Sequence, residues 1–333
     1  MAARVSIIGD GAMGTACAIM LAENGCRVRL WSAFADAAAD LAQTRENGRF
    51  LPGVRLPEPV AVTGEDAEAL AGADLAVCAV PSQFIRPVWR RLAPHCPPAL
   101  PICSVAKGIE QRTQLRPTQV LRDVLGDGNR PVAALSGPSI APEVVRRQPA
   151  TVVAASQDVE LAEWVQRLFM RPYFRVYTNP DLTGVELAGA TKNVIAIAAG
   201  ILDGLGSGDN AKAALLTRGL AEITRLGVAL GAQPETFAGL AGVGDLVTTC
   251  ISPSGRNRSF GQAIGQGKSR ADALAATESV VEGVDTTVSV LGLAERAGVE
   301  MPITQAVNGV LFAGTPPSEA IRGLMTRPMK AET

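Results

Sequence analysis

The stretch that decides the fold is Arg4-Val5-Ser6-Ile7-Ile8-Gly9-Asp10-Gly11-Ala12-Met13-Gly14, near the beginning of the chain. A strand-like apolar run ends at Ile8, and a helical pattern begins at Ala12. Between them, Gly9 permits a tight turn, Gly11 lets the backbone approach a pyrophosphate, and Gly14 allows close packing of helix on strand. The helix N-terminus would offer free N–H groups to the phosphates. In this context the GxGxxG pattern predicts dinucleotide binding, with a purely structural turn as the alternative.

Short apolar runs alternate with helical patterns through the rest of the first half. The predicted strands cover residues 4–8, 27–31, 73–80, 100–105 and 131–135, and the predicted helices cover residues 12–24, 35–46 and 84–92. Such alternation implies parallel strands joined by right-handed crossovers. We therefore expect an α/β fold whose N-terminal part is a Rossmann doubly wound sheet.

The amino-acid composition changes from about Gly184. From there Ala, Leu, Ile and Gly dominate, and patterns typical of β-strands nearly vanish. Helical spacing covers residues 184–202, 211–230, 269–277, 286–297 and 303–312. We expect residues 1–181 to form the dinucleotide-binding domain and residues 182–333 to form an all-helical C-terminal domain that carries the catalytic and substrate residues.

Composition excludes several classes of partner. The formal charge is -1, with 31 basic and 32 acidic residues. A protein that binds nucleic acid or an anionic membrane would carry an excess of basic residues. No apolar run approaches the roughly 20 residues of a membrane span, and the N-terminus leads straight into the first strand. We expect a cytoplasmic protein. The 6 cysteines show no ligand spacing, so no metal is expected. An apolar helical half often forms a dimer interface, which leaves a homodimer open as an alternative to a monomer.

The choice between NAD and NADP stays open. An acid at the end of the second strand would bind the ribose 2′-hydroxyl, and a base would accommodate a 2′-phosphate. Here Trp31-Ser32-Ala33 occupies that point, and Asp36 lies further on.

Few side chains are available for proton transfer. The single histidine, His95, lies in a proline-rich stretch, and the chain has five lysines against twenty-six arginines. Lys107 sits beside a glycine at a predicted strand end, where ligands gather in open α/β sheets; a solvated loop lysine is the alternative. The loop Ser136-Gly137-Pro138-Ser139 follows another predicted strand.

Lys192-Asn193 interrupts an otherwise almost wholly apolar helical pattern. Desolvation lowers the pKa of a lysine, which would suit Lys192 to exchange a proton near neutrality. The alternative is a lysine that extends to the surface. Glu186 is one and a half turns earlier and cannot share its face at i, i+4.

Two polar clusters follow in the helical half. Gly242-Val243-Gly244-Asp245 places a carboxylate in a glycine-rich turn. Ser252-Pro253-Ser254-Gly255-Arg256-Asn257-Arg258 concentrates hydroxyls, an amide and two guanidinium groups before a helical run. A guanidinium binds phosphate in a bidentate manner, so this cluster predicts an anion site; a solvated loop is the alternative.

Taken in order, these segments resemble the bacterial NAD(P)-dependent glycerol-3-phosphate dehydrogenases over nearly the whole chain. The glycine-rich turn, Lys107 with its neighbours, Ser136–Ser139, Lys192-Asn193, Arg256-Asn257 and Val280-Val281-Glu282-Gly283 carry the resemblance.

The resemblance implies reversible reduction of dihydroxyacetone phosphate to sn-glycerol 3-phosphate, which feeds glycerophospholipid synthesis, with NAD or NADP as cofactor. It implies that Lys192 is the proton donor and acceptor. The implied substrate site consists of Lys107, Gly137, Ser139, Lys192, Asp245, Gly255, Arg256 and Asn257. The implied cofactor site consists of Gly9, Gly11, Ala12, Met13, Gly14, Ala33, Lys107, Ala141, Arg256, Val280 and Glu282.

The chain departs from the family pattern at four positions. Met13 replaces an aromatic residue, Ala33 stands where a basic residue often follows the second strand, Pro142 follows Ala141, and Gly255 replaces a serine. The backbone of Gly255, or Ser254, would then supply the serine's contact.

Two rival functions remain. A related two-domain dehydrogenase acting on a hydroxy acid or sugar acid would keep both halves but differ at the anion site. A protein that binds the nucleotide without catalysis would need neither Lys192 nor a second anion site, since buried charge is costly.

Overall fold

The structure is a computed structural model that describes residues 2–126, 128–277, 280–329 and 331. The chain forms two compact units. The first comprises Met1–Lys107 and Leu115–Glu186, and the second comprises Gly108–Gln114 and Leu187–Thr333.

A single sheet organises the first unit. Its strands are β1 (Arg4–Ile8), β2 (Arg27–Trp31), β3 (Val60–Thr63), β4 (Leu75–Cys78), β5 (Ile102–Ser104), β6 (Val132–Ser136), β7 (Ala150–Ala155) and β8 (Phe174–Asn179). The helices of this unit are α1 (Ala12–Glu23), α2 (Ala35–Thr44), α3 (Asp66–Ala69), α4 (Ile85–Leu92), α5 (Pro117–Val124), α6 (Ala141–Val145) and α7 (Val159–Phe169). The strand order is β3-β2-β1-β4-β5-β6-β7-β8. Its first six positions have the order of the Rossmann fold, which confirms the predicted doubly wound sheet.

The strands predicted from the sequence pair in parallel, as expected, but β7, which was not predicted, runs in the opposite direction to its neighbour β6. β6 and β7 pair antiparallel, with Leu135 opposite Ala154, while the other neighbours are parallel. The connection contains only α6, which has 5 residues. A helix of that length spans about 7.5 Å and cannot carry the chain back along the preceding strand.

The second unit is helical. After α8 (Leu182–Gly204), it contains α9 (Gly208–Ala229), α10 (Pro234–Ala238), α11 (Asp245–Ile251), α12 (Arg256–Gly265), α13 (Arg270–Ala275), α14 (Glu282–Ala297), α15 (Pro302–Phe312) and α16 (Pro317–Met325). No strand occurs in this unit among the described residues, in agreement with the predicted all-helical C-terminal part.

The helix α8 corrects one expectation from the sequence. It has 23 residues and a mean hydropathy of 1.5, so by length and composition it could cross a membrane. Glu186 and Lys192 divide the run in the sequence, but the many Ala, Ile and Gly residues outweigh them. The whole of its most apolar window is buried inside the protein, as expected for a core helix.

The helices α8 and α12 pack with their backbones in contact. A methyl group at Gly200 would overlap the carbonyl oxygen of Arg258, and one at Gly261 would overlap that of Ile197. Gly204 and Gly265 are restricted in the same way by the facing helix. The close approach explains why glycine recurs at four-residue spacing on both helices.

We expect Gly261→Ala to lower the free energy of unfolding by about 2 kcal/mol, because the added methyl group would force α8 and α12 apart. Gly323→Ala is the matched control, since Gly323 lies in α16 and an added methyl group there would have no atom of the described residues within 4 Å. There alanine should stabilise the helix by up to about 1 kcal/mol. Urea denaturation measures both changes; equal effects of the two substitutions would contradict this description of the packing.

Candidate functional site

Glycine is required at two positions of the turn between β1 and α1. Gly9 has a φ of +111°, and an added methyl group would lie 2.9 Å from the carbonyl oxygen of Ala79. A methyl group at Gly14 would overlap the carbonyl oxygen of Gly9. At Gly11, by contrast, a methyl group would meet no atom of the described residues within 4 Å, and no side chain caps α1. The turn is therefore a cradle with free N–H groups, which fits the pyrophosphate of a dinucleotide.

Asn47 holds this cradle and was missed in the sequence. Its side-chain amide donates to the carbonyl oxygen of Asp10 at 2.6 Å and to the hydroxyl of Thr15 at 2.8 Å. The amide thus joins the turn to the first helical turn of α1. Asn47 lies in an irregular segment after α2, where no pattern distinguishes it from an ordinary loop asparagine.

Three predicted cofactor residues lie together beside the turn. Ala141 belongs to a small apolar cluster with Leu51, and Ala12 and Met13 pack against that cluster. Met13 thus replaces the usual aromatic residue with an apolar side chain. Pro142 lies at the second position of α6, where proline is tolerated because no helical N–H is needed there.

Lys107, Gly137 and Ser139 form a second group in the first unit. The Nζ of Lys107 donates to the carbonyl oxygen of Gly137 at 2.9 Å, and the Ser139 hydroxyl donates to the same oxygen at 3.0 Å. Gly137 has a φ of +134°, and an added methyl group would lie 2.9 Å from the Cα of Val152. The carbonyl therefore holds an ammonium and a hydroxyl at the carboxyl ends of β5 and β6, where open α/β sheets bind ligands.

In the second unit Lys192 is a buried cation with a buried counter-ion. The side chains of Lys192 and Asp245 are only 6% and 3% exposed, and their Nζ and Oδ1 atoms are 2.8 Å apart. Nζ also donates to the hydroxyl of Thr249. The adjacent carboxylate favours the charged ammonium form, whereas burial, which the sequence analysis considered, favours the neutral form. A lysine that extends to the surface is excluded.

Asp245 owes its position to an irregular turn. The predicted glycine-rich turn is a π-helical segment, Leu240–Gly244, and Asp245 begins α11 directly after it. A methyl group at Gly242 would overlap the carbonyl oxygen of Phe237. Insertions of this kind redirect the following side chain and occur often at functional sites.

The predicted anion cluster coincides with the N-terminus of α12. Gly255 is the N-cap residue and provides no side-chain cap, and Arg256 and Asn257 form the first helical turn. Arg256 is exposed and has no hydrogen-bonding or ionic partner among the described residues. Ser254 is also exposed, with its hydroxyl 3.0 Å from that of Ser252. Free N–H groups, the helix dipole and an unpaired guanidinium together suit a phosphate.

Arg258 does not belong to that anion site, contrary to the sequence interpretation. Its guanidinium pairs with Asp203 at 2.6 Å, and Lys212 pairs with the same carboxylate. Arg258 therefore fastens α12 to the end of α8. Of the two guanidinium groups, only that of Arg256 lacks a counter-ion among the residues that the structure describes.

The segment Val280–Gly283 lies against the first turn of α12. The backbone N–H of Gly283 donates to the side-chain oxygen of Asn257 at 3.0 Å. Val280 is 38% exposed and Glu282 begins α14. The second unit thus brings Asn257 to the same place as two predicted cofactor residues. Ala33, the remaining predicted cofactor residue, belongs to the first unit and lies between β2 and α2.

The side chains that commonly bind metal ions are not clustered in the part of the chain that the structure describes. Among the described residues, no group of three or more His, Cys, Asp or Glu side chains could hold a metal ion. All six cysteines are free, and five of them are buried. Burial raises the pKa of Cys17 to about 12 and that of Cys78 to about 11, so both remain thiols at neutral pH.

Comparisons with known proteins agree with this geometry. A family model described as NAD-dependent glycerol-3-phosphate dehydrogenase N-terminus matches residues 4–162, and the corresponding C-terminus matches residues 181–322. The chain is 50% identical over 329 residues to glycerol-3-phosphate dehydrogenase [NAD(P)+] of Geobacillus thermodenitrificans, covering 98% of this chain and 96% of that protein. It is 51% identical to the protein of the same name from Pelotomaculum thermopropionicum, covering 98% and 94%. The crystal structure of glycerol-3-phosphate dehydrogenase from Coxiella burnetii matches with a TM-score of 0.94 and 38% identity, covering 98% and 99%.

A Rossmann sheet with a glycine cradle, combined with a helical unit that contains a buried lysine, defines a two-unit nicotinamide-dependent dehydrogenase. Within that class, the chain belongs to the NAD-dependent glycerol-3-phosphate dehydrogenase family.

We expect inorganic phosphate to stabilise the protein through the N-terminus of α12. At about ten times its Kd, phosphate should raise the free energy of unfolding by about 1.4 kcal/mol. Arg256→Ala should remove most of this gain while leaving the stability without phosphate nearly unchanged, because the Arg256 side chain is exposed and unpaired.

Arg258→Ala is the matched control. It should lower the stability without phosphate, because Asp203 loses an ion-pair partner, and should retain the gain on adding phosphate. Thermal denaturation of both variants with and without phosphate measures this. A phosphate response that Arg258→Ala abolishes and Arg256→Ala retains would reverse the assignment.

Proposed function

We propose that this protein is an NAD(P)-dependent sn-glycerol-3-phosphate dehydrogenase, which reversibly reduces dihydroxyacetone phosphate to sn-glycerol 3-phosphate. The observation that carries the proposal is that one helical unit contains both a buried Lys192–Asp245 pair and the uncapped, arginine-bearing N-terminus of α12. The first supplies a proton to a ketone oxygen, and the second suits a phosphate. The relatives named above carry this activity in their names.

Lys192 is the proton donor and acceptor at the C2 oxygen. A nicotinamide bound at the glycine cradle would supply a hydride to C2 of the ketone, and negative charge would then develop on the C2 oxygen. The Lys192 ammonium stabilises that charge and transfers its proton. Asp245 keeps the buried ammonium charged and oriented, and Thr249 fixes its position.

Arg256 and the first turn of α12 bind the substrate phosphate. Gly255 contributes backbone rather than a hydroxyl, and Asn257 is held in place by Gly283. In the first unit, Lys107 contacts both cofactor and substrate, with Gly137 and Ser139 lining the substrate site. Its ammonium already lies at the carboxyl end of β5.

The glycine cradle binds the cofactor pyrophosphate through Gly9, Gly11 and Gly14. Ala12, Met13 and Ala141 supply the apolar wall beside it. Ala33 lies toward the adenosine ribose, while Arg256, Val280 and Glu282 contact the cofactor from the helical unit. We further propose that the protein is cytoplasmic, supplies glycerophospholipid synthesis, and forms a homodimer through its helical unit.

The experiment that tests this function follows oxidation of NADH and of NADPH with dihydroxyacetone phosphate. We expect kcat/KM for dihydroxyacetone phosphate to exceed that for unphosphorylated dihydroxyacetone by at least about 100-fold, through the phosphate contacts. Lys192→Arg should lower kcat by about 1000-fold, because arginine keeps the charge but does not release its proton at neutral pH. Nucleotide affinity should stay within about twofold, since the change keeps the ion pair with Asp245.

Lys212→Arg is the matched control, because Lys212 also pairs with a carboxylate in the same unit but lies outside the proposed machinery. It should retain kcat within about twofold. Turnover retained by Lys192→Arg would remove Lys192 as proton donor. Equal rates with the phosphorylated and unphosphorylated ketones would reject the substrate and favour the related hydroxy-acid dehydrogenases. Nucleotide binding without turnover on any ketone would favour a non-catalytic role.

A further inference from the structure

A side chain from α4 lies where dinucleotide-binding sheets distinguish NADP from NAD. In such sheets the carboxyl end of the second strand faces the adenosine ribose, where an acid binds the 2′-hydroxyl and an arginine accommodates a 2′-phosphate. Trp31-Ser32-Ala33 at this end carries neither kind of side chain. The discriminating group must therefore come from another element, or the site has none.

Arg91, in the last turn of α4, reaches this strand end. Its Nη1 donates to the carbonyl oxygen of Ala33 at 2.9 Å, and its guanidinium carbon lies 5.1 Å from the centre of the Trp31 ring. Trp31 is fully buried, so the ring is a fixed platform for the cation. The sequence does not reveal the hydrogen bond between Arg91 and Ala33, because these two residues are 58 positions apart.

A second polar contact, to Asp66, also holds the Arg91 guanidinium in place. The Nε of Arg91 donates to Oδ2 of Asp66 at 2.5 Å. The Arg91 side chain is nevertheless 44% exposed. An arginine has five N–H donors, and the contacts to Ala33 and Asp66 leave some of them without a partner among the described residues. The cation is therefore held in one orientation with donors still available to an anion, so little further ordering is needed on binding.

An exposed aromatic ring lies next to this group in the chain. Phe34, directly after Ala33, is 71% exposed. Flat aromatic side chains stack favourably on nucleobases, whereas exposure of a ring of this size to water alone is unfavourable. Phe34 therefore offers an exposed ring one residue after the carbonyl group that holds Arg91, and together they suit an adenosine that carries a phosphate on its ribose.

We propose that Arg91 is the specificity-determining residue for the ribose 2′-phosphate, held by Ala33, Trp31 and Asp66, and that it makes the protein bind NADP more tightly than NAD. This inference rests on the proposed nucleotide-dependent function. It replaces the basic residue that is missing at Ala33 with one from a different element of the first unit.

Calorimetric binding of adenosine 2′,5′-bisphosphate and of AMP tests the proposal without nicotinamide or substrate. The two ligands differ by the 2′-phosphate alone. We expect the unchanged protein to bind the bisphosphate at least about tenfold more tightly than AMP. Arg91→Ala should weaken bisphosphate binding by about tenfold or more and leave AMP within about twofold. Arg90→Ala is the matched control, as an exposed arginine in the same helical turn, and should change neither affinity.

Loss of both affinities in Arg91→Ala, or of neither, would overturn the inference. The ratio of KM for NADPH to KM for NADH, measured with dihydroxyacetone phosphate, separates the two proposals. If turnover proceeds and Arg91→Ala leaves that ratio unchanged, the inference about Arg91 fails while the proposed function stands. If the calorimetric difference is found but neither nucleotide is oxidised, the proposed reaction fails and the assignment of Arg91 stands.

Discussion

The buried ammonium of Lys192 is the constraint on which the helical unit depends. A charge removed from water on an apolar helix is tolerated only with a counter-ion and hydrogen bonds close by. Asp245 and Thr249 meet that requirement from α11, one turn apart on the same helix. The π-helical turn before α11 and the absence of a side chain at Gly242 place Asp245 at this point. The π-helical turn and the glycine at position 242 thus both serve to place a counter-ion beside the buried cation.

A second constraint links this cation to the phosphate site. Lys192 is carried by α8, and the candidate phosphate site is the first turn of α12. The two helices meet backbone to backbone at Gly200 and Gly261, and the ion pair between Arg258 and Asp203 fastens them further. Contacts of this kind leave little freedom for sliding, so the separation between Lys192 and the first turn of α12 is fixed by packing.

The sequence predicted the parts that depend on local pattern. The glycine cradle, the first two strands and α8 all carry strong periodicity or fixed spacing, and the structure confirms them. β3, β7 and β8 were missed. β3 and β8 are the two edge strands of the sheet, and their exposed side chains interrupt the continuous apolar run by which the inner strands were recognised. The antiparallel direction of β7 depends on the length of the preceding connection rather than on the strand's own residues.

The candidate site could be predicted only in part, because many of its side chains have partners that are distant in the sequence. Arg256 and Arg258 are two residues apart and chemically identical, yet Asp203 neutralises only the second. Asn47 and Arg91 donate hydrogen bonds to the backbone at the ends of β1 and β2, but each lies in a segment that carries no recognisable motif. The sequence did exclude a pair between Glu186 and Lys192, and Glu186 instead accepts the backbone N–H of Thr118 at the start of α5. The helical period was sufficient for that exclusion but could not identify the actual partner.

The most direct test of the central claim is a crystal structure of the protein with NADH and sn-glycerol 3-phosphate, a reduced pair that cannot react. We predict that the C2 oxygen lies within hydrogen-bonding distance of the Lys192 Nζ and that the phosphate binds on the first turn of α12, against Arg256. A phosphate bound elsewhere, or a C2 oxygen on another group while Lys192 contacts only Asp245 and Thr249, would contradict it.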